Sequence, residues 1–525
     1  MSINKINRVI LCIIDDVRAE HFFEYLDLGL LPNLKKLMEK GIYSKNCITD
    51  FPPITYPSQV SLITGTYTGD YKRELCHGVP LLNWMDRDVA PPILREYASK
   101  NLQIYKMNED IGSNCRTLLE MVGDGNTASI AQFINRGADY IFPERKTQLA
   151  MLYLILKYFP SVRKRMVRSN SVIVQKLIEL FKKPKQFFNN SEPPIASLLW
   201  FMSSDLLMHK FGFDSYIYKL NLLHIDKVIG VLIEELERLG YLNDTAIAIT
   251  SDHGNYKADT IGNIVPFFKQ NRLINYHPLK KLRANMDLAY YASVGFFYFK
   301  GSKNNSKNGW SHPTIKDLEQ YGPKRINLLK DLFRIDGSQL MFYRDEENTN
   351  NKGIIYLKRK MKDTGKIITG KIEYEGNGLD YKTRYSIDND NLDIFGYIND
   401  DLASSLLDNK FHTIQEWLEF TYHLDFPMHP DLIPRHFKNP RSADIILTNN
   451  ESVKFGIHHG KKRSNNLYDH DIGLKKCMVV PLIIGGSLDI PKKEINYCKI
   501  TDIIPTLLKL LGKNIHKSVI GHNLI

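Results

Sequence analysis

Short apolar runs that end in residues able to carry chemistry constrain this chain more than any other feature. Residues 9–14 (VILCII) contain no polar interruption and lead into Asp15-Asp16. Residues 245–250 (TAIAIT) lead into Ser251-Asp252-His253-Gly254, and residues 196–203 end just before Asp205. A short apolar run without alternation reads as a strand buried on both faces. Polar residues beyond its carboxyl end lie where an open α/β sheet binds ligands. Helical patterns fall between these runs, at 32–40 with a stop at Gly41 and at 216–239 with a stop at Gly240. Strands alternating with helices predict an α/β sheet protein.

Further helices are expected at 90–100, 115–122 and 128–136, and a strand at 102–105. Residues 353–357 and 366–374 are expected to form a hairpin apart from the main sheet. Core-like sequence returns at 443–447, 478–484 and 501–511. No internal repeat is visible.

The stretch Phe51-Pro-Pro-Ile-Thr55-Tyr-Pro57-Ser-Gln59-Val-Ser-Leu-Ile-Thr64-Gly65 reads as a loop running into a helix. Pro52 and Pro53 block a helix before Thr55, Pro57 suits a first helical turn, and Gly65 suits a stop. Thr55 would then sit at a helix N-terminus, where free N–H groups and the dipole favour an anion. By itself a threonine there is more often a simple cap.

The length of 525 residues allows one large core with insertions, or two to three domains. The net charge of +12 is concentrated: residues 145–185 hold eleven Lys/Arg against Glu179, a local balance of +10. The apolar stripes at 149–159 and 171–181 are flanked there by Arg163-Lys164-Arg165, Arg168, Lys182-Lys183 and Lys185. This pattern reads as a helical insertion with a solvated basic face, or as a surface for contact with an anionic partner. No specific nucleic-acid motif is present. The six cysteines are scattered, which suits a reducing compartment and gives no thiolate metal site. The apolar opening run is too short for a signal-peptide core, and no stretch is long enough to span a bilayer, so the expected location is cytoplasmic.

Acids and histidines cluster after the predicted strands: Asp15, then Asp205 and His209 four residues apart, then Asp252-His253, then His458-His459-Gly460. Hard carboxylates mixed with imidazoles suit Zn2+, or failing that Mn2+, in an open catalytic site.

With these residues in place the sequence resembles the alkaline phosphatase superfamily, most closely its type I phosphodiesterase / nucleotide pyrophosphatase branch. The matching residues are Ile14-Asp15-Asp16-Val17-Arg18, Thr55-Tyr56-Pro57-Ser58-Gln59, Thr64-Gly65, His77-Gly78 with Asn83-Trp84, Asp205 with His209, Ser251 to Gly254, and His459-Gly460. The segments 501–512 and 521–525 are similar to the superfamily's closing helix and strand. The resemblance covers 9–140, 196–256 and 443–525. It implies an alkaline-phosphatase-like three-layer α/β/α sandwich with a mostly parallel central sheet and inserted cap regions. The core would comprise 1–144, 196–256 and 441–525, with a basic helical insertion at 145–195 and a cap or substrate-facing insertion at 257–440.

The resemblance further implies two divalent metal ions. One would be held by Asp205, His209 and His459, the other by Asp15, Asp252 and His253, with Thr55 as nucleophile and Asn83 as a donor to a phosphoryl oxygen. Asp16 stands where the family more often has glycine, so Asp15 or Asp16 could ligate, with Asp15 preferred; His459 is preferred to His458 because it abuts Gly460. The implied reaction is cleavage of a phosphodiester or pyrophosphate bond in a small phosphate-ester or nucleotide-like substrate, through a phospho-threonine. Phosphomonoester or phosphonate hydrolysis on the same scaffold, or a non-catalytic binding role, are the alternatives. Sulfatase chemistry is disfavoured, because Thr55-x-Pro57-x-Gln59 replaces the Cys or Ser and the Arg of that motif.

Overall fold

The computed structural model describes residues 6–89, 92–97, 103–145, 147–148, 151–152, 155, 166–276, 283–303, 310–388, 392–457 and 466–525. Arg8–Ile14 forms the central strand of a nine-stranded sheet and pairs in parallel with Thr245–Thr250 on one side and Ala196–Phe201 on the other. The parallel order continues through Thr127–Ile130 to Tyr140–Phe142. On the opposite flank Val479–Gly486 runs antiparallel to both Thr245–Thr250 and Ile42–Ile48. The three parallel strands at the centre are buried on both faces, as their unbroken apolar sequences require. Their carboxyl ends share one edge of the sheet, and that edge carries Asp15, Asp205 and Asp252.

Helices cover the sheet to complete three α/β/α layers. Tyr216–Arg238 starts from Ser215, whose hydroxyl caps the N–H of Tyr218, and packs against Pro32–Glu39 and Val167–Lys182. The closing helix Ile503–Leu510 packs against Thr55–Thr64 and strand Thr245–Thr250. Val167–Lys182 buries Ile173, Val174, Leu177, Ile178, Leu180 and Phe181 against this core, and Lys182 pairs with Glu235 at 2.9 Å. The second half of the basic segment is thus a core helix with a charged outer face. Arg163-Lys164-Arg165 lie outside the described residues.

A second, eight-stranded antiparallel sheet is built from Met286–Tyr291, Val294–Phe299, Ile445–Asn449, Ser338–Arg344, Lys352–Lys360, Ile367–Glu375, Lys382–Ile387 and His412–Thr413, in that order. The expected hairpin is there as Lys352–Lys360 and Ile367–Glu375, and burial alternates strictly along the latter, as in a sheet packed on one face. Ile445–Asn449, expected with the main core, instead lies in the middle of this sheet, between Val294–Phe299 and Ser338–Arg344. A five-residue apolar strand encodes burial and leaves its partner unspecified.

Four local expectations change. Residues 128–136 do not form a helix: Thr127–Ile130 is a parallel strand, held by pairing with Ala196–Phe201. The expected helix at 90–100 contains strand Ile93–Glu96, paired with Asn83–Asp86. The expected strand at 102–105 is the 3-10 turn Gln103–Lys106, leading into Met107–Asp110. The helix expected at 115–122 shrinks to Leu118–Met121, where Thr117 and Glu120 form a reciprocal capping box. All four are short segments; the two strands are set by tertiary pairing, and the helix by its local cap. Among the described residues no helix is long and apolar enough to cross a membrane.

Candidate metal centre and nucleophile

Helix Thr55–Thr64 begins directly after the extended residue Ile54 and stops at Gly65, whose φ of 69° is a left-handed conformation suited to glycine. A Cβ there would also meet Val519 and Ile504. All residues of this helix after Thr55 are buried, while Thr55 is half-buried at its first turn. Its hydroxyl oxygen lies 3.1 Å from Nε2 of His253.

Two groups of ligand-type side chains meet at the strand ends. Asp15, Asp252 and His253 form one, and Asp205, His209 and His470 the other, with candidate ligand atoms in each within 4.8 Å of one another. In the first, Nε2 of His253 is 3.5 Å from Asp15 Oδ1 and 3.8 Å from Asp252 Oδ1. In the second, Asp205 Oδ1 is 3.1 Å from His209 Nε2 and 3.9 Å from His470 Nε2. The His253 and His470 rings stack at 3.9 Å, which joins the two groups into one centre. Asp205 and His209 share a face of helix Ser203–Phe211, as an i, i+4 pair must.

The three histidines are oriented alike. Nδ1 faces a backbone carbonyl in each: Tyr468 at 3.3 Å for His209, Gly254 at 3.1 Å for His253, and Pro53 at 3.0 Å for His470. A carbonyl only accepts, so Nδ1 donates and Nε2 is turned toward the carboxylates, the arrangement that metal-ligating histidines adopt. On the acid side, Asp15 Oδ2 accepts the Trp200 indole N–H at 3.0 Å. Asp15 Oδ1 is buried with no hydrogen-bond partner, and Asp205 Oδ1 faces His209 Nε2. Buried carboxylate oxygens opposed by pre-oriented imidazoles fit a divalent cation in each group.

The electrostatics carry the same demand for positive charge. Burial, then Asp252 and Asp205, raise the Asp15 carboxyl well above the usual range. Burial would lower His253 and His209, but Asp252 together with Asp16, and Asp205, respectively overcome it and bring each to about 9. Burial and then the neighbouring His253 lower His470 to about 3.

The structure brings together Thr55, Asp15, Asp252 and His253, and separately Asp205 and His209. His458 and His459 lie outside the described residues, and among the described residues the histidine placed beside Asp205 and His209 is His470. It arrives because the two-residue strand Tyr468–Asp469 pairs with Tyr256–Lys257, just beyond His253. A pairing that short leaves no periodicity to read; the only sequence signal is the acid-flanked triplet Asp469-His470-Asp471. Asp16 is buried at φ 62° with its Oδ1 3.6 Å from His253 Nδ1, on the ring edge away from Asp15. Asn83 opens strand Asn83–Asp86 and donates through Nδ2 to the Ala289 carbonyl at 3.0 Å.

A second constellation on the Thr55 helix looks catalytic and is not. Ser61 Oγ lies 2.5 Å from Asp50 Oδ2 and 2.9 Å from His77 Nε2, with all three side chains buried. His77 Nδ1 accepts the Val79 N–H at 3.1 Å, so the proton is on Nε2 and is donated to Ser61, which donates to Asp50. The serine hydroxyl is committed to a carboxylate and faces no base. This chain of bonds ties the helix to the loop that presents Thr55.

The fold and the site together define an alkaline-phosphatase-like α/β protein whose strand ends carry paired Asp/His groups beside a helix-start threonine. The sequence profile of the family described as type I phosphodiesterase / nucleotide pyrophosphatase matches residues 9–306, more than half of the chain, and the chain belongs to that family. It is 24% identical over 298 residues to "Bis(5'-adenosyl)-triphosphatase ENPP4" of Pongo abelii, covering 55% of this chain and 52% of that protein. It is 24% identical over 376 residues to "Venom phosphodiesterase" of Naja atra, covering 66% of this chain and 38% of that protein. The chain thus spans about half the length, or less, of these curated relatives. In fold it is similar to murine ectonucleotide pyrophosphatase / phosphodiesterase 5, in a form described as an inactive threonine-to-alanine variant in complex with AMP. The TM-score is 0.55 at 14% identity, over 98% of this chain and 97% of that one.

Proposed function

We propose that the chain is a metal-dependent hydrolase of phosphodiester or pyrophosphate bonds, with Thr55 as nucleophile. The observation that carries this reading is the Thr55 hydroxyl, presented at a helix N-terminus 3.1 Å from His253 Nε2. Family membership supports it, as do the names of relatives that are a dinucleoside triphosphatase and a phosphodiesterase, and the AMP complex of the murine protein.

Asp15, Asp252 and His253 would hold one divalent ion, and Asp205, His209 and His470 the other. Such ions, Zn2+ by the donor set, would supply charge neutralisation, a lowered hydroxyl pKa and stabilisation of phosphoryl oxygens. Thr55 attacks phosphorus, its O–P bond forming as the bond to the leaving oxygen breaks, and the hydroxyl proton ends on that leaving group. Water then forms a bond to phosphorus as the Thr55 O–P bond breaks, returning a proton to Thr55 and releasing the phosphate product. The helix start gives free N–H groups for the phosphoryl oxygens. Asn83 has a second amide N–H beyond the one given to Ala289.

The test compares bis-p-nitrophenyl phosphate and a nucleotide p-nitrophenyl ester with p-nitrophenyl phosphate, on Zn2+-loaded protein with a chelator control. Chelator-sensitive cleavage that is faster on the diesters supports the reading. Preference for the monoester moves the chain to phosphatase chemistry, and activity on none of them overturns it.

A further inference from the structure

The chain turns where strand Arg8–Ile14 ends, and Asp16 makes that turn at φ 62°. A side chain is disfavoured in this left-handed region, although aspartate tolerates it better than most residues. Backbone hydrogen bonds fix the turn. The Asp16 N–H donates to Asp252 Oδ1 at 3.2 Å, and its carbonyl accepts from the Tyr218 hydroxyl at 2.7 Å and from Asn255 Nδ2 at 3.2 Å. The next N–H, of Val17, donates to Ser251 Oγ at 2.9 Å. Glycine could make every one of these bonds without the cost of a Cβ. The backbone therefore accounts for the turn and leaves the carboxylate unexplained.

That carboxylate carries a second cost. Asp16 is fully buried, and among the described residues neither Oδ1 nor Oδ2 has a hydrogen-bond partner. A buried charge is retained where something nearby offsets it. Among the described residues the one basic side chain within 4.0 Å is His253, whose Nδ1 lies 3.6 Å from Asp16 Oδ1. The Nδ1 proton is given to the Gly254 carbonyl at 3.1 Å, and 3.6 Å is beyond hydrogen-bond length. Asp16 thus acts on the ring as a neighbouring charge, not as an acceptor. Nε2, at the other edge of the ring, faces Asp15 Oδ1 at 3.5 Å and Asp252 Oδ1 at 3.8 Å. Asp16 stands behind the imidazole, and the candidate ligand group stands in front of it.

We propose that Asp16 is a positioning residue, a negative charge behind the His253 ring that strengthens Nε2 as a ligand to the ion held with Asp15 and Asp252. A carboxylate behind a ligating histidine raises the basicity of the nitrogen that binds the metal. The buried carboxylate in turn gains from a loaded centre the positive charge it needs. Both costs at Asp16, the left-handed backbone and the unpaired burial, are then offset by metal binding. The inference rests on the two-ion reading given above.

The test uses metal-free full-length protein at pH 8 and compares the natural chain with Asp16→Gly and Asp16→Asn. Zn2+ affinity is read by competition with a chromogenic chelator, and stability by thermal melts in the metal-free state. Loss of an outer partner of a ligand typically weakens metal binding by about 10–100-fold, and Asp16→Gly is expected to lose affinity in that range at one of two positions. The same variant relieves the turn and removes the buried carboxylate, so its metal-free melting midpoint is expected to rise. Stability and affinity that move in opposite directions are the signature, since damage to the fold would lower both. Asp16→Asn tolerates the turn and removes only the charge, and is expected to lose affinity nearly as far as Asp16→Gly. Unchanged affinity in either variant overturns the proposal, as does a metal-free Asp16→Gly chain that melts below the natural one. Saturation at one ion per chain in Asp16→Gly, against two in the natural chain, would make Asp16 a ligand and overturns it too. In each of those outcomes the two-ion reading stands. A natural chain that takes up no Zn2+ overturns both.

Discussion

The hydroxyl oxygen of Thr55 lies 3.1 Å from Nε2 of His253, so the first residue of a buried helix meets the loop that follows the Thr245–Thr250 strand. The contact joins the proposed nucleophile to a candidate ligand group whose three side chains owe nothing to Thr55 for their orientation. Thr55→Ala is expected to lower turnover by at least about a thousandfold, the scale seen when a nucleophile is removed. Metal content, measured by atomic emission, is expected to stay at two ions per chain. Near-normal turnover in this variant removes Thr55 from the mechanism.

His470 and His459 give opposite expectations. His470→Ala removes the imidazole that faces Asp205 Oδ1 at 3.9 Å, and is expected to cut Zn2+ stoichiometry from two toward one. His459→Ala is expected to leave stoichiometry unchanged. Calorimetric titration of both variants decides between them, and the reverse pattern returns the third ligand position to His459.

Ser61 is expected to be inert as a nucleophile. A fluorophosphonate probe should not label it, because its hydroxyl donates to Asp50 and accepts from His77. Ser61→Ala leaves Asp50 Oδ2 and His77 Nε2 without their shared partner, and is expected to cost about 1–3 kcal/mol of stability in denaturant titration. Probe labelling at Ser61 would contradict the proton order assigned here.

Asp287 gives a pH signature outside the metal centre. Burial, then the nearby Glu96, raise its carboxyl to about 7 in the folded chain, against 3.8 for the free group. The contribution it makes is therefore full below the unfolded value and is lost as pH rises toward 7. Asp287→Asn is expected to be more stable than the natural chain at pH 8 and to lose that advantage near pH 4. One pKa unit corresponds to ~1.4 kcal/mol, so even part of the shift is visible in thermal melts. A variant less stable at both pH values would rule this out.

What could be read from sequence follows from the physics of each segment. The central strands Arg8–Ile14, Ala196–Phe201 and Thr245–Thr250 are buried on both faces, and unbroken apolar runs announce that directly. The bounds of Thr55–Thr64 are written in its prolines and in Gly65. Thr127–Ile130 was hidden because four residues cannot show a period, and its strand state comes from its neighbour. Ile445–Asn449 shows burial without naming its sheet. His470 owes its place to a two-residue pairing with Tyr256–Lys257, which leaves no local pattern.

The route of the chain through the second sheet sets an order of assembly during synthesis. Asp15, Asp252 and His253 are all in hand once residue 253 has been made. The chain must then lay down the strands from Met286 to Asn449 before Tyr468–Asp469 can return beside Tyr256–Lys257 and bring His470 to Asp205 and His209. A nascent or truncated chain ending between those points would own one complete set of candidate ligands and an incomplete second. The second sheet is therefore part of how the candidate metal centre is closed, and a product stopped short of residue 470 would be limited to one intact set.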